Sequence, residues 1–321
     1  MGLMNTTDEN TNQGFLLAVI SALILSFTSI LIRLVSGEYH VPALIIAFWR
    51  NFFVIACALP VLMIFNARLL IIRKKDLPFL VLFGGVLSVF NILWTLAVTL
   101  MGASVATVLV YSSGAFTAIL GYFLLNEALG WKKITAVILC LSGCLFVSGA
   151  TDSTIWQANT LGILTGLFSG LLYAVYSLMG RDATLRGLNP WTTLFYTFLF
   201  AAFFLLAINL LPIRFIPAAA RTPIEMFTLG TQWRGWLLLL VLAAGPTLVG
   251  FGLYNVSLGL LDSSTANLIL TLEPVFTGIT AYFLLHERLN YLQLIGAGFI
   301  LLGVILLRLR RKPKLSLQKP I

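Results

Sequence analysis

The chain has 321 residues, of which 60% are hydrophobic and only 10% are charged, and its mean hydropathy is +1.01. A soluble domain carries about 25% charged residues, so this composition excludes an ordinary water-soluble protein, a disordered chain and a disulfide-stabilised scaffold. The net charge of +9 comes from basic residues between apolar runs and near the C-terminus, which indicates membrane topology and anionic lipid rather than nucleic acid.

Apolar runs of about 20 residues, separated by short polar gaps, follow one another along the chain, and that length crosses a bilayer as an α-helix. The runs do not alternate between polar and apolar residues, as the strands of a membrane barrel do. The sequence therefore predicts an all-α integral membrane fold of ten transmembrane helices. The predicted spans are 14–35, 42–66, 77–100, 103–125, 131–150, 159–180, 191–211, 235–258, 264–285 and 290–307.

The distribution of basic residues predicts the orientation of the chain. The polar N-terminal segment lacks the basic stretch and cleavage site of a signal peptide, so the first run is expected to remain attached as a helix. Counting the gaps alternately gives fourteen basic residues on one side of the membrane and five on the other. Because basic loops stay in the cytoplasm, both termini of this multi-pass protein are expected on the cytoplasmic side of the inner or plasma membrane.

The two halves of the chain are related in sequence. Residues 121–130 (GYFLLNEALG) match residues 281–290 (AYFLLHERLN), and this offset of 160 holds over whole helices, whereas earlier in each half the offset is 148. Five helices per half is an odd number, so the second half enters the membrane from the opposite side. The sequence predicts two inverted five-helix repeats, an arrangement common among secondary transporters. The predicted divisions are a cytoplasmic tail (1–13), a first repeat (14–150), a linker (151–158), a second repeat (159–307) and a basic cytoplasmic tail (308–321).

The doubled motif resembles the end of an EamA domain. Leu125-Asn126-Glu127-Ala128-Leu129 leads to Gly143, Leu285-His286-Glu287-Arg288-Leu289 leads to Gly296 and Gly303, and the pair Glu273-Pro274 fits the second repeat. The resemblance covers residues 14–307 and implies the ten-helix branch of the drug/metabolite transporter superfamily. It further implies a secondary transporter of small metabolites, expected to export amino acids or related compounds by alternating access.

One position departs from the resemblance. The first repeat carries Gly114 where the family usually has a proline, the counterpart of Pro274. Helix four is therefore expected either to bend less than helix nine or to bend through glycine flexibility. Gly114 and Pro274 are the expected hinge positions.

Two charged residues lie inside apolar runs. Glu273 stands about ten residues into the ninth run, and a charge at that depth is costly and usually faces a cavity or a partner. It is a candidate for proton coupling or substrate handling, with a structural hydrogen bond beside Pro274 as the alternative. Arg50, about nine residues into the second run, is expected to pair with Glu273, to hold an anionic substrate or to snorkel to a membrane surface.

Aromatic and amide side chains within the predicted helices form the candidate substrate-binding group. Its members are Asn91, Trp94, Tyr111, Tyr173, Tyr176, Tyr254, Asn255 and Asn267. Small-molecule sites are mostly apolar with a few placed polar groups, and this set has that character. The offset of 160 pairs Trp94 with Tyr254, so these rings are expected to line one cavity from opposite halves. Ordinary packing and interfacial aromatic belts are the alternative.

Glu127 and Glu287 end the fourth and ninth runs. The inverted topology puts them on opposite sides of the membrane, so they cannot share a catalytic site. They are expected to cap helix ends or to pair with Lys132 and Arg288. Cys140 and Cys144 share a helix face without a nearby histidine, which favours packing over a metal site.

No nucleotide-binding motif is present in the sequence, so ATP hydrolysis and enzymatic activity are not expected. A membrane-embedded lipid-handling protein or enzyme is the alternative function, and it would need His, Asp or Glu clustered at one membrane depth. The expected partners are a small-molecule substrate, membrane lipid and, where coupling exists, protons, with no nucleic acid, cofactor or metal. The chain is expected to act as a monomer or a homodimer.

Overall fold

The structure, a computed structural model, describes residues 2–39, 42–101, 103–147, 160–210, 223–227, 233–285 and 290–308. All regular structure in these ranges is helical. Eight helices within them are long and apolar enough to cross a membrane, judged by length and composition. The prediction of an all-helical membrane fold is confirmed, whereas the count of ten spans stays a prediction.

The helices follow the apolar runs to within a few residues at most ends. In the first half they are α1 (Gly2–Leu25), α2 (Phe27–Tyr39), α3 (Ala43–Asn66), α4 (Leu77–Met101), α5 (Ala103–Tyr111), α6 (Ser113–Leu125) and α7 (Trp131–Val147). In the second half they are α8 (Thr160–Leu185), α9 (Pro190–Leu210), α10 (Pro223–Phe227), α11 (Trp233–Leu242), α12 (Phe251–Leu260), α13 (Ser263–Ile269), α14 (Glu273–Leu285) and α15 (Tyr291–Arg308). Helix α1 begins at Gly2, inside the segment predicted as a polar tail.

Two predicted spans are not among the eight membrane-length helices. The span predicted at 131–150 contains helix α7, which has 17 residues. The span predicted at 264–285 is interrupted, because the 3-10 turn Leu270–Leu272 separates α13 from α14.

The fourth predicted span (α5 and α6) and the ninth (α13 and α14) are interrupted at matching points. A turn at Ser112 separates α5 from α6, and its counterpart at the offset of 160 is Leu272, the last residue of the 3-10 turn before α14. In the second half Pro274 follows the break, and proline cannot donate the next helical hydrogen bond. In the first half no proline follows the break, and the Ser112 hydroxyl bonds the carbonyl of Leu109. Gly114 serves close approach, since a Cβ there would lie 2.8 Å from the Leu268 side chain.

Two further irregularities were not predicted from the sequence. A turn at Ser26 separates α1 from α2, and the Ser26 carbonyl accepts a hydrogen bond from the Thr277 hydroxyl at 3.2 Å. Residues Ala243–Gly250 form a π-helical segment around Pro246, where the Thr247 hydroxyl bonds the carbonyl of Leu242 at 2.9 Å. A proline inside a helix removes one backbone donor, and the wider turn with its threonine bond compensates locally.

The two halves repeat the same local geometry at their ends. Tyr122 and Phe123 pack edge to face with ring centroids 5.2 Å apart, and their counterparts Tyr282 and Phe283 do so at 5.3 Å. The exposed fractions also match, at 50% for both tyrosines and at 72% and 70% for the phenylalanines. Large apolar rings exposed to this extent are expected to face lipid rather than water.

Helices α7 and α15, which correspond at the offset of 160, cross at glycines. A Cβ on Gly143 would lie 2.6 Å from the carbonyl oxygen of Gly296, and one on Gly303 would lie 3.1 Å from the carbonyl oxygen of Ala136. Gly143 corresponds to Gly303 and Ala136 to Gly296, so each contact is the counterpart of the other. That reciprocity is what a twofold relation between the two helices requires.

Substitution at this crossing is expected to destabilise the fold. An alanine at Gly296 meets the Gly143 carbonyl and the Phe146 Cβ, so Gly296→Ala should lower the free energy of unfolding by about 1–3 kcal/mol. Gly298 lies on the same helix with open space around it, so Gly298→Ala should leave stability unchanged or raise it by up to about 1 kcal/mol. Thermal melting of the two purified variants in detergent makes the comparison. Equal melting temperatures would show that the crossing has room for a methyl group at position 296.

The first helix packs on the second half of the chain. The Ser21 hydroxyl bonds the carbonyl of Gly250 at 2.8 Å. A Cβ on Gly14 would lie 2.7 Å from Leu260, and one on Gly250 would lie 2.8 Å from Leu25. The apolar core therefore contains helices of both halves, and the site described next lies between them.

Candidate functional site

Four buried polar side chains from four helices meet in the interior and form the central polar cluster: Ser113 of α6, Ser177 of α8, Tyr254 of α12 and Asn267 of α13. The Asn267 amide nitrogen donates to the Ser177 hydroxyl at 3.0 Å and to the Tyr254 hydroxyl at 3.4 Å. The Ser113 hydroxyl donates to the Asn267 amide oxygen at 3.0 Å, and the hydroxyls of Ser177 and Tyr254 lie 2.7 Å apart. Because every polar group in such a site needs a partner, the cluster fixes the relative position of the four helices.

Aromatic rings cover one side of this cluster. Tyr173 stacks on Phe90 of the first half at 5.3 Å, on Tyr176 at 6.2 Å and on Tyr254 at 6.3 Å. The Tyr176 hydroxyl donates to the Asn255 amide oxygen at 3.3 Å. The arrangement joins apolar surface to a few fixed polar groups, which is the usual composition of a small-molecule site.

Glu273 lies beside this region as the first residue of α14, immediately after the 3-10 turn. Its carboxylate lies beside the Tyr111 hydroxyl, and Tyr173 and Cys144 are also near it. No lysine or arginine forms an ion pair with it among the side chains that the structure describes. The pairing of Glu273 with Arg50, one of the three arrangements considered from the sequence, is therefore not found in the described chain.

Arg50 lies instead against a cavity of about 120 Å³, the α2–α4 cavity. Its lining residues are Ile32, Ile46, Ala47, Arg50, Asn91, Trp94, Thr95 and Val98. Arg50 is only 9% exposed, which leaves little of it to snorkel, and its Nη2 donates to Asn91 Oδ1 at 2.8 Å. The Arg50 Nε and the Asn91 Nδ2 are both buried, and neither has a hydrogen-bond partner within the part of the chain that the structure describes.

A third polar group, the Glu127 latch, joins the two halves at one end of the helices. The Glu127 carboxylate accepts hydrogen bonds from the backbone N–H and the hydroxyl of both Ser263 and Ser264 at 2.5–3.3 Å. The Lys133 ammonium lies 2.8 Å from the Ser264 hydroxyl, 3.2 Å from the Asp262 carboxylate and 3.9 Å from Glu127. A carboxylate at the free N–H groups of α13 is a favourable helix cap, and here cap and helix come from different halves.

The sequence-predicted residues thus fall into two places. Tyr111, Tyr173, Tyr176, Tyr254, Asn255, Asn267 and Glu273 lie in and around the central polar cluster, whereas Arg50, Asn91 and Trp94 lie at the α2–α4 cavity. Trp94 and Tyr254 both contact the same apolar core, but Tyr254 does not line the cavity that Trp94 lines. Whether any of these residues touches a substrate stays a prediction.

The residues at the helix ends agree with the expectation in one respect and add a partner. Glu127 caps a helix end, as expected, and Lys133 is a cation close to its carboxylate. Lys133 points inward and is 8% exposed. Glu287 and Arg288 lie outside the described residues.

Sequence reasoning missed several polar residues that the structure brings together. Ser113 and Ser177 bridge the central polar cluster, and Asp262, Ser263 and Ser264 complete the Glu127 latch. Serine is common in membrane helices, where its hydroxyl usually bonds its own helix, so a single serine carries a weak signal. The run Asp262-Ser263-Ser264 was a signal that the sequence did offer, since these residue types favour helix N-termini.

The hydroxyl of Tyr254 offers a clean test of the central polar cluster. Tyr254 is fully buried, so Tyr254→Ala would leave a large cavity and cost about 3–5 kcal/mol, which obscures any effect on function. Tyr254→Phe keeps the stack on Tyr173 and removes only the bonds to Ser177 and Asn267. We expect this variant to fold with normal yield and to lose most of its transport in a liposome flux assay. Unchanged flux would reduce the cluster to a packing role.

These features define a helical, multi-pass membrane protein with a polar interior. The model of the EamA-like transporter family matches residues 12–149 and 160–309, and the chain belongs to that family. It is therefore a membrane transporter of that family and not an enzyme, and the enzymatic alternative is set aside. Groups of three or more potential metal-binding side chains are absent from the described residues.

Relatives and solved structures agree with this assignment. An uncharacterized transporter of Archaeoglobus fulgidus is 27% identical, covering 90% of this chain and 93% of its own length. An S-adenosylmethionine uptake transporter of Rickettsia bellii is 24% identical and covers 94% of both chains. A crystal structure with 15% identity has a TM-score of 0.73 and covers 92% of this chain and 97% of that chain, which shows the same fold.

Proposed function

We propose that the chain is a secondary transporter of small metabolites that works by alternating access, with two inverted five-helix repeats and both termini in the cytoplasm. The ten spans are the eight membrane-length helices together with α7 and the interrupted pair α13–α14. The repeats correspond to residues 14–150 and 159–307, joined by 151–158 and flanked by polar tails. The protein works as a monomer or homodimer and needs no cofactor.

One observation carries this proposal: the Glu127 latch and the α2–α4 cavity lie at opposite ends of the helices. The cavity is lined by the end of the first span, the start of α3 and the end of α4. The chain then crosses once more through α5 and α6 before it reaches Glu127. A transporter closed at one end by contacts between its halves, with a cavity toward the other, has the asymmetry that alternating access requires.

The proposed substrates are amino acids or related small metabolites, moved outward. This direction follows from the family resemblance. Uptake is the second candidate, because three Rickettsia relatives that cover 89–94% of this chain are named S-adenosylmethionine uptake transporters. S-adenosylmethionine is itself an amino acid derivative, so both candidates share the α-amino and α-carboxylate groups.

A flux assay with the purified protein in liposomes tests the proposal. The panel contains the twenty amino acids, S-adenosylmethionine and several neutral metabolites, each measured for counterflow and for net movement in both directions. Saturable counterflow of at least one solute, absent from empty liposomes and from Tyr254→Phe liposomes, is the expected result. Failure of every solute to exchange, with correctly folded protein in the bilayer, would overturn the transporter proposal for this panel.

The proposed orientation has its own test. A reporter that fluoresces only in the cytosol, fused after Ile321, is expected to be bright, because fourteen basic residues lie on the side that holds both termini. A second reporter, active only outside the cytoplasm, is expected to be silent at the same position. The reverse pattern would invert the topology and exchange the two ends described above.

A further inference from the structure

Two side chains that line the α2–α4 cavity, Arg50 and Asn91, carry buried hydrogen-bond donors without a partner among the described residues. Arg50 is a permanent cation with five N–H donors and no acceptor. No carboxylate pairs with it among the side chains that the structure describes, and its Nε is buried without a partner. Buried polar groups are normally satisfied, so an unpaired nitrogen on an arginine that lines a cavity marks a place where an acceptor is missing.

The Asn91 amide adds a second donor. Arginine can only donate, so the Asn91 atom that faces Arg50 at 2.8 Å must be the oxygen. The remaining amide atom is therefore Nδ2, which is buried and likewise finds no partner in the described ranges. Both unused groups of the pair are donors, so the missing ligand group is an acceptor with negative charge.

The second half of the chain shows that the fold does not need this polar pair. At the offsets that relate the repeats, Arg50 corresponds to Phe198 and Asn91 to Phe251. These two phenylalanines contact each other edge to face at 5.7 Å, in the place where the first half has its hydrogen bond. An apolar pair fills the same position in the same fold, which argues that Arg50 and Asn91 serve a purpose other than packing.

The size of the cavity limits what enters it. A volume of about 120 Å³ holds several waters but is smaller than the roughly 300–1,000 Å³ of a complete ligand pocket. It therefore receives one end of a small molecule. Trp94 supplies an apolar wall beside the donors. A planar carboxylate suits this end, because it accepts parallel bonds from a guanidinium and an amide.

We propose that Arg50 and Asn91 form an anion subsite that binds the carboxylate of the transported solute, with Trp94 packing on the carbon atoms next to it. The subsite rests on the function proposed above, because its ligand is a transported solute only if the chain is that transporter. It places recognition of the carboxylate in the first half of the chain.

The test compares binding of acids with binding of their neutral derivatives. Calorimetric titration of the full-length protein in detergent uses acetate, lactate, glycine and alanine, with the methyl esters or amides as uncharged probes and chloride and phosphate as inorganic anions. We expect at least one carboxylate to bind and its ester to bind at least tenfold more weakly. In Arg50→Met the affinity for the carboxylate should fall at least tenfold, whereas in Asn91→Leu the loss should be smaller.

A matched control comes from the second half, where Phe198→Met changes the corresponding position without removing a donor. It is expected to leave carboxylate affinity unchanged. Should Arg50→Met fail to fold, the double variant Arg50→Phe, Asn91→Phe copies the pair of the second half and is expected to fold without binding carboxylates. Circular dichroism and gel filtration report folding in each case.

Several outcomes would overturn the subsite. These are equal binding of acid and ester, undiminished carboxylate binding in folded Arg50→Met, and binding of chloride or phosphate alone. Glu38 is the acidic residue nearest in sequence to the lining residue Ile32, and its side chain lies outside the described residues. Rescue of an unstable Arg50→Met by Glu38→Gln would assign the counter-charge to the protein itself and also reject the proposal. Carboxylate binding that depends on Arg50 without any liposome flux would instead reject the transporter proposal and keep the subsite.

Discussion

Glu127→Gln is expected to open the end of the transporter that the latch closes. A cysteine placed in the buried interior should then react with a maleimide about ten to a hundred times faster. The carboxylate accepts bonds from two backbone N–H groups and two hydroxyls, and the amide would turn an N–H₂ group toward some of these donors. Hydrogen bonds to a charged group contribute about 1.5–3 kcal/mol, and each 1.4 kcal/mol is a factor of ten in an equilibrium. Because the latch joins the two halves, this loss favours the state in which they separate.

A single cysteine reports the opening. Cys57, Cys140 and Cys144 are replaced by alanine, and Ala266→Cys is introduced one turn into α13, where the native side chain is fully buried. A membrane-impermeant maleimide is added on the latch side, and the labelling rate is compared with and without Glu127→Gln. Faster labelling with retained folding is expected.

The control for this experiment is Asp182→Asn. Asp182 forms a partly exposed ion pair with Arg186 near the end of α8, and such surface pairs contribute little. Its labelling rate should equal that of the parent. Equal labelling of Glu127→Gln and Asp182→Asn would mean that the latch is a local cap without control over access.

Glu273→Gln is expected to abolish accumulation driven by a pH gradient while leaving exchange of substrate intact. A charged carboxylate at this depth costs roughly 2.5–3.5 kcal/mol, and no cation pairs with Glu273 in the part of the chain that the structure describes. The Tyr111 hydroxyl within reach can bond either the charged or the neutral acid. A group in that position can take up a proton on one side and release it on the other as access alternates.

The measurement uses liposomes with one substrate found in the flux panel. Counterflow at equal pH reports exchange, and net uptake under an imposed pH gradient reports coupling. Cys144→Ala is the matched control, since Cys144 lies near Glu273 and its removal changes no charge that the mechanism uses. If Glu273→Gln concentrates substrate as well as Cys144→Ala does, Glu273 is a structural residue and coupling, if any, lies elsewhere.

The sequence predicted the helices well because the length and apolarity of a membrane span are local properties. The break in the ninth span was foreseeable at Pro274, which cannot continue the hydrogen-bond ladder, whereas no proline marks the matching break at Ser112 in the fourth span. The turn at Ser26 and the wide turn around Pro246 were not foreseeable, although Pro246 was visible in the sequence. The carbonyl at the Ser26 turn accepts a bond from Thr277, a residue 251 positions away, which no local pattern reveals.

The site was predicted in composition but not in arrangement. The aromatic and amide residues around Asn267 do meet, because they lie on helix faces turned toward the same interior. The separation of Arg50 from Glu273 could not be predicted from how far each residue lies along its apolar run. That distance does not show which helices are neighbours. The part that Lys133 plays in the latch was missed for a similar reason, because one residue along a helix turns the side chain by about 100° and the sequence alone did not show which turn faces Glu127.

The packing of α1 on the second half has a consequence for biosynthesis. The Ser21 hydroxyl bonds a carbonyl 229 residues further along the chain, and Glu127 waits 136 residues for Ser263. When the first half leaves the ribosome, its close-packing glycine faces and the Glu127 carboxylate have no partner yet. The first half must therefore remain in the membrane in this state until the second half is synthesised. Both halves synthesised together as separate chains can supply these partners, whereas the first half alone presents quality-control proteases with an unfinished surface.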